Sequence, residues 1–128
     1  MKQFSFKIPI YNWDFTLVIL DSITDAGKLK VMADKYSFPD TEALIEHVKN
    51  RSYDGGKTYT KRNSRHIIVI IFPQSSKQKF FNTINHEKRH VIDDILEWHD
   101  VHDKEAAAYL DGFLSEELYK HLKQSKVI

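Results

Sequence analysis

The run Ile67-Ile68-Val69-Ile70-Ile71-Phe72 decides the fold expected for this chain, because every position in it is apolar. A strand with one face in water alternates apolar and polar residues, whereas a strand covered on both faces is apolar throughout. Residues 65–72 are therefore predicted to form a central strand between two layers. Residues 57–60 precede it, and the two segments predict a β-hairpin that turns through Arg62-Asn63-Ser64.

The segments on either side of this hairpin predict a second hairpin and several helices. Residues 4–8 and 13–20 are rich in aromatic and β-branched side chains, and Pro9 to Asn12 suit the turn between them. Capping residues and apolar spacing predict helices at 22–36, 39–50, 77–99 and 103–123. The candidate caps, in the same order, are Ser22 or Thr24, Asp40 or Thr41, Ser75 or Ser76, and Asp103. The expected fold is α+β: one domain over residues 1–128, with a small, mostly antiparallel sheet and two early helices, followed by a C-terminal helix pair.

Composition excludes several classes of protein and site. The net charge is +1, and 41% of residues are hydrophobic and 29% charged, so we expect no nucleic-acid or membrane partner. The absence of cysteine excludes disulfides and thiolate metal sites, and it agrees with a reducing compartment. No signal peptide or membrane span is recognisable, so a cytoplasmic location is expected. A basic loop is interpreted as a solvated hairpin tip (Lys57, Lys61, Arg62 and Arg65).

The chemistry is concentrated in His86-Glu87-Lys88-Arg89-His90, inside the predicted helix 77–99. Histidines four residues apart project from one helix face, so both imidazoles can reach one ion. Zinc accepts imidazole nitrogen, and a catalytic zinc site uses three protein ligands with an open position for water. Glu87 lies beside the pair, where its carboxylate can accept a proton from that water as a general base.

The third metal ligand must come from another part of the chain. Glu105 follows His90 by fifteen residues, in the first turn of the last predicted helix, and it is the favoured candidate. The small residues Ala106 to Ala108 would allow that helix to pack closely against the first. His102 and Asp103 are the alternatives, together with His99. A His102 ligand would give a three-histidine site, and an additional ligand would close the water position.

Several neighbours of the motif are candidates for supporting roles. Asp93 and Glu97 share the helix face of the histidines and could accept the second ring N–H of a ligand, whereas Asp94 could contact the last helix. Tyr109 shares the face of Glu105 and could stabilise a substrate oxyanion. Arg89 is expected to pair with Asp93. The remaining histidines are isolated in the sequence and are expected to have no functional role (His47, His66 and His121).

The motif resembles that of the zincins, in particular the gluzincins, in which His-Glu-x-x-His is followed by a Glu on a later helix. Residues 76–122 carry the likeness, which extends to short proteins of phages and mobile elements. The resemblance implies that His86, His90 and Glu105 bind zinc and that Glu87 is the catalytic base. It also implies that strand 65–72 is the edge strand lining a substrate cleft.

Two functions follow from these patterns. The first is a zinc-dependent hydrolase, a peptidase or amidase, acting on a peptide or protein substrate. The second is a zincin-like metal-binding or interaction module of a mobile element that has no catalytic activity. Lys88 and Arg89 stand where zinc peptidases usually have uncharged residues, and Lys104 stands where the thermolysin-like motif has Asn. Metal binding tolerates these differences better than peptide hydrolysis does.

Overall fold

The computed structural model describes residues 1–21, 26–38, 42, 43, 45, 46, 50 and 54–128. The described chain is α+β, as predicted, with a four-stranded sheet and three helices. Its strands are β1 (Lys2–Ile8), β2 (Trp13–Ile19), β3 (Gly56–Lys61) and β4 (His66–Ile71). Its helices are α1 (Ala26–Tyr36), α2 (Lys77–Trp98) and α3 (Lys104–Gln124).

The sheet joins the two predicted hairpins side by side in the order β1-β2-β4-β3. Each hairpin is antiparallel, and β2 pairs with β4 in parallel, so the sheet is mixed but mostly antiparallel. β4 lies between β2 and β3, which confirms the prediction of a central strand. The implication that residues 65–72 form an edge strand is wrong, because β3 occupies that edge.

The alternation of β4 explains its central position, since both of its faces are buried. Ile67, Val69 and Ile71 face a core formed with α2 and α3. Ile68 and Ile70 face a second core, formed with α1. A strand with two apolar faces needs a layer on each side, so the sheet lies between α1 and the α2–α3 pair.

The two C-terminal helices begin at capping residues that the sequence predicts. The Ser76 hydroxyl accepts the Lys79 N–H at 3.1 Å at the start of α2. The Asp103 carboxylate accepts the Glu105 N–H at 3.0 Å at the start of α3. Leucines at every fourth position of α3 are buried against the sheet and α2 (Leu110, Leu114, Leu118 and Leu122).

The early helical region is described only in part. α1 begins at Ala26, and its predicted caps, Ser22 and Thr24, lie outside the described residues. Most of the helix predicted at 39–50 also lies outside them, although the described positions 42, 43, 45 and 46 are helical. No helix in the described part of the chain has the length and apolar character needed to cross a membrane.

Candidate metal centre

The two histidines of the motif lie on an exposed face of α2, with their ring nitrogens together. The Nε2 atoms of His86 and His90 are 3.2 Å apart, and the two rings are nearly perpendicular. Two nitrogens bound to one tetrahedral zinc at 2.0–2.1 Å are separated by about 3.3 Å. The imidazoles therefore already have the spacing that a shared zinc ion requires.

Glu87 completes a compact group with the histidine pair, which we call the His–Glu–His group. One donor atom from each of the three side chains lies within 4.8 Å of the other two. Glu87 is only 5% exposed, whereas both histidines face solvent. No other such group of His, Asp and Glu side chains occurs among the residues that the structure describes.

Strand β3 holds the buried carboxylate of Glu87. The Thr58 hydroxyl donates a hydrogen bond to Glu87 Oε2 at 2.5 Å. Thr60 follows Thr58 by two residues and lies on the same face of β3. Its hydroxyl donates a hydrogen bond to Asp94 Oδ2, also at 2.5 Å. Helix α2 and the edge strand β3 are thus joined by two hydrogen bonds of the same kind, one of them at the His–Glu–His group.

These β3 residues were not singled out in the sequence, although their alternation carried a signal. Gly56, Thr58 and Thr60 are spaced by two and therefore share one face of the strand. Their partners on α2 include Glu87 and Asp94, seven residues apart on one helix face. The prediction that Asp94 contacts the last helix is wrong, because its carboxylate pairs with β3.

An open cleft lies beside the group at the start of β3. Its lining comprises Asp54, Gly55, Gly56, Lys79, Asn82, Thr83, His86 and Glu87. Asp54 accepts hydrogen bonds from the backbone N–H and the hydroxyl of Ser75, and these bonds lower the pKa of Asp54. The same bonds attach the residue before Gly55-Gly56 to the start of α2 and so shape this wall of the cleft.

Helix α3 lies on a different side of α2. Lys88, next to Glu87 in sequence, points about 100° away around the helix. Its ammonium contacts the Asp111 carboxylate at 2.8 Å and the Ser115 hydroxyl at 2.9 Å, both on α3. Glu87 therefore faces β3, while the adjacent residue faces α3.

The position of α3 explains why Glu105 does not join the His–Glu–His group. Glu105 is exposed and precedes Asp111 by six residues, which puts it about 9 Å nearer the interhelical turn along α3. The group contains neither Glu105 nor the alternatives His102 and Asp103. His102 instead contacts Asp100, and Asp103 caps α3. Glu105 as the third ligand stays a prediction.

The other sequence candidates have partners or positions of their own. His99 Nε2 accepts the indole N–H of Trp13 at 2.9 Å, so this nitrogen already has a partner. Arg89 pairs with Asp93 at 3.3 Å, as predicted. Tyr109 is 52% exposed on α3 and has no hydrogen bond to the group. Glu97 is exposed, and its proposed contact with a ligand histidine stays a prediction.

The sequence predicts no functional role for three further histidines. Of these, His66 and His121 have structural contacts, and His47 lies outside the described residues. His66 Nε2 is 2.8 Å from the Thr16 hydroxyl, and burial lowers the pKa of His66. His121 stacks on Phe4 and Phe6, with ring centroids 4.8 and 5.4 Å apart. Neither belongs to the His–Glu–His group.

The donor set suits a borderline transition metal. Two imidazole nitrogens and a nearby carboxylate are ligands that zinc accepts, and the absence of sulfur excludes a thiolate site. Comparison with family models, curated proteins and solved structures finds no match to this chain.

Proposed function

We propose that this chain is a zinc-dependent hydrolase of amide or peptide bonds, related in plan to the gluzincins, in which His86 and His90 bind the metal. The observation that carries the proposal is the 3.2 Å separation of the two Nε2 atoms, with Glu87 close to both. Zinc bound there supplies a Lewis acid that polarises a carbonyl and lowers the pKa of a water molecule.

Glu87 has the environment expected of a general base. Its Oε2 accepts the Thr58 hydroxyl, whereas Oε1 has no hydrogen-bond partner among the described residues. Every fully buried side-chain oxygen and nitrogen in the described part of the chain has a partner, so Oε1 must reach solvent. A carboxylate with one fixed and one open oxygen can take a proton from the attacking water and pass it to the leaving amine.

The unusual cations of the motif are neutralised by neighbouring acids. The Lys88 ammonium is mostly buried and paired with Asp111, and the Arg89 guanidinium is paired with Asp93. Lys88 therefore helps to attach α3 to α2, which gives it a structural reason to stand between Glu87 and His90. The two cations of the motif therefore have acidic partners of their own, which is compatible with hydrolysis at the neighbouring group.

The edge of the sheet favours an extended peptide as substrate. β3 pairs with β4 on one side, and no described strand pairs with its other side. The edge of a sheet offers N–H and C=O groups to an extended chain, and β3 also contacts Glu87 through Thr58. We propose a peptide or protein substrate for this reason. A cytoplasmic location is also proposed, and the absence of cysteine agrees with a reducing compartment.

The test compares wild type, Glu87→Gln and Glu116→Gln after zinc loading. We expect Glu87→Gln to keep zinc, measured by metal analysis, and to lose hydrolysis of denatured casein by about 10²–10⁴-fold, the usual contribution of a general base. Glu116 is an exposed acid of α3, and its substitution should change neither property.

Each alternative outcome has a definite meaning. Hydrolysis by Glu87→Gln at the wild-type rate would disprove the proposed mechanism. Zinc binding by wild type without hydrolysis of any peptide in a random library would instead favour the metal-binding module. Undetectable zinc after loading would exclude both functions.

A further inference from the structure

The Glu87 carboxylate is close enough to the histidine pair to serve in either of two roles. One of its oxygens lies within 4.8 Å of a donor nitrogen of each imidazole. Two ligands of one tetrahedral zinc lie about 3.3 Å apart, so a side-chain movement of a few ångströms would make Glu87 a third ligand. A carboxylate bound directly to the metal shares an oxygen lone pair with the cation, which makes it a weaker proton acceptor and so a poorer general base.

The Thr58 hydroxyl opposes that movement. It donates to Glu87 Oε2 at 2.5 Å from a strand whose backbone is fixed by pairing with β4. A hydrogen bond from a hydroxyl to a carboxylate is short and stronger than one between neutral groups. The side chain of Glu87 also packs on Gly56, where an added Cβ would lie 3.0 Å from Glu87 Cγ.

We propose that Thr58 is a positioning residue that keeps Glu87 off the metal and so determines that this carboxylate is a base and not a ligand. The inference rests on the proposed function, since it requires zinc at His86 and His90. It concerns a residue outside the His-Glu-x-x-His motif and on a different element of the fold.

Loss of the hydroxyl should have opposite effects on metal binding and hydrolysis. In Thr58→Val the carboxylate is free to turn toward the imidazoles, so we expect zinc affinity to rise by about tenfold, the strength of one hydrogen bond to a charged group. Hydrolysis should fall by at least the same factor. A merely structural role of Thr58 would lower both.

The fold offers a matched control at Thr60. Thr60→Val removes a hydrogen bond of the same type and length between β3 and α2, but at Asp94 and away from the histidines. This variant should lose stability to the same extent as Thr58→Val while keeping the zinc affinity and hydrolysis of wild type. Thr58→Ser keeps the hydroxyl and should restore both properties.

The experiment measures three quantities on the full chain: zinc affinity by chelator competition, the visible spectrum of the cobalt(II)-loaded protein, and hydrolysis of denatured casein. We expect the cobalt spectrum of Thr58→Val alone to change, because an added carboxylate ligand alters the geometry of the metal. Thr58→Ser and Thr60→Val should retain the wild-type spectrum.

The outcomes separate this inference from the proposed function. Wild-type spectrum and affinity in Thr58→Val would overturn the role of Thr58 and leave the zinc site intact. An equal change in Thr60→Val would also overturn it, because general loosening of β3 would then be the cause. Failure of wild type to bind zinc or cobalt would overturn the proposed function itself, and this inference with it.

Discussion

The two histidines are the residues of the site whose positions agree best with metal binding. His86 and His90 are exposed, and their Nε2 atoms are 3.2 Å apart. Loss of an outer-shell partner of a metal ligand typically costs 10–100-fold in affinity, so loss of a direct ligand should reach at least the upper end of that range. We expect His90→Ala to weaken zinc binding by about 100-fold or more, measured by chelator competition.

Glu105 provides the comparison for that measurement. Its carboxylate is exposed and does not belong to the His–Glu–His group, because α3 packs on the Lys88 side of α2. With α3 in the position described, Glu105→Ala should bind zinc with nearly wild-type affinity. A loss as large as that of His90→Ala would show that α3 moves to supply the third ligand when zinc binds.

The contact between β3 and α2 positions the site, and Gly56 permits this contact because it has no side chain. A Cβ there would lie 3.0 Å from both Glu87 Cγ and the Ile70 carbonyl oxygen. The carbonyl belongs to the paired strand β4 and cannot yield, so Gly56→Ala should destabilise the protein by about 1–3 kcal/mol, the usual cost of overpacking.

Gly112 provides the matched control for the Gly56→Ala prediction. It lies exposed within α3, and nothing is within 4 Å of the position of an added Cβ. Alanine there removes only the conformational cost of glycine, so Gly112→Ala should stabilise the protein by about 0.5–1 kcal/mol. Urea denaturation of both variants measures the two changes, and equal signs would contradict the packing argument.

The sequence predicts individual helices and strands better than it predicts how they pack together. The hairpins, the central strand and the caps Ser76 and Asp103 could be predicted, because each depends on a local pattern. The side on which α3 meets α2 could not, since helical spacing defines the faces of α2 but not the partner of each face. For this reason the sequence could not show how Glu105 lies relative to the histidines, and it gave no indication of the contact between Thr58 and Glu87.

Two histidines join parts of the chain that are distant in sequence. His99 ends α2, stacks on Tyr11 and accepts the indole N–H of the fully buried Trp13. His66 contacts Thr16 across the parallel strand pair. In each contact the imidazole is buried to some extent, and in His99 the acceptor nitrogen must be unprotonated.

Because both contacts involve a histidine, we expect the free energy of unfolding to decrease in acid. Burial, aided by Arg65, lowers the pKa of His99 below its usual 6.5, and burial also lowers the pKa of His66. Between the lowered pKa and 6.5 the unfolded chain binds more protons, so stability rises with pH in that window. Each histidine contributes fully above about pH 6.5, and the contribution is lost as pH falls through the folded-state pKa.

The pH dependence of thermal unfolding provides the measurement. We expect the Tm to fall between pH 7.5 and pH 5, and to fall less in His99→Gln, whose amide oxygen can still accept the Trp13 N–H but cannot be protonated. Trp13 fluorescence should change over the same pH range in wild type, because a protonated His99 presents a donor to the indole N–H. An equal decrease in Tm in wild type and His99→Gln would mean that the contact between α2 and the sheet does not sense pH.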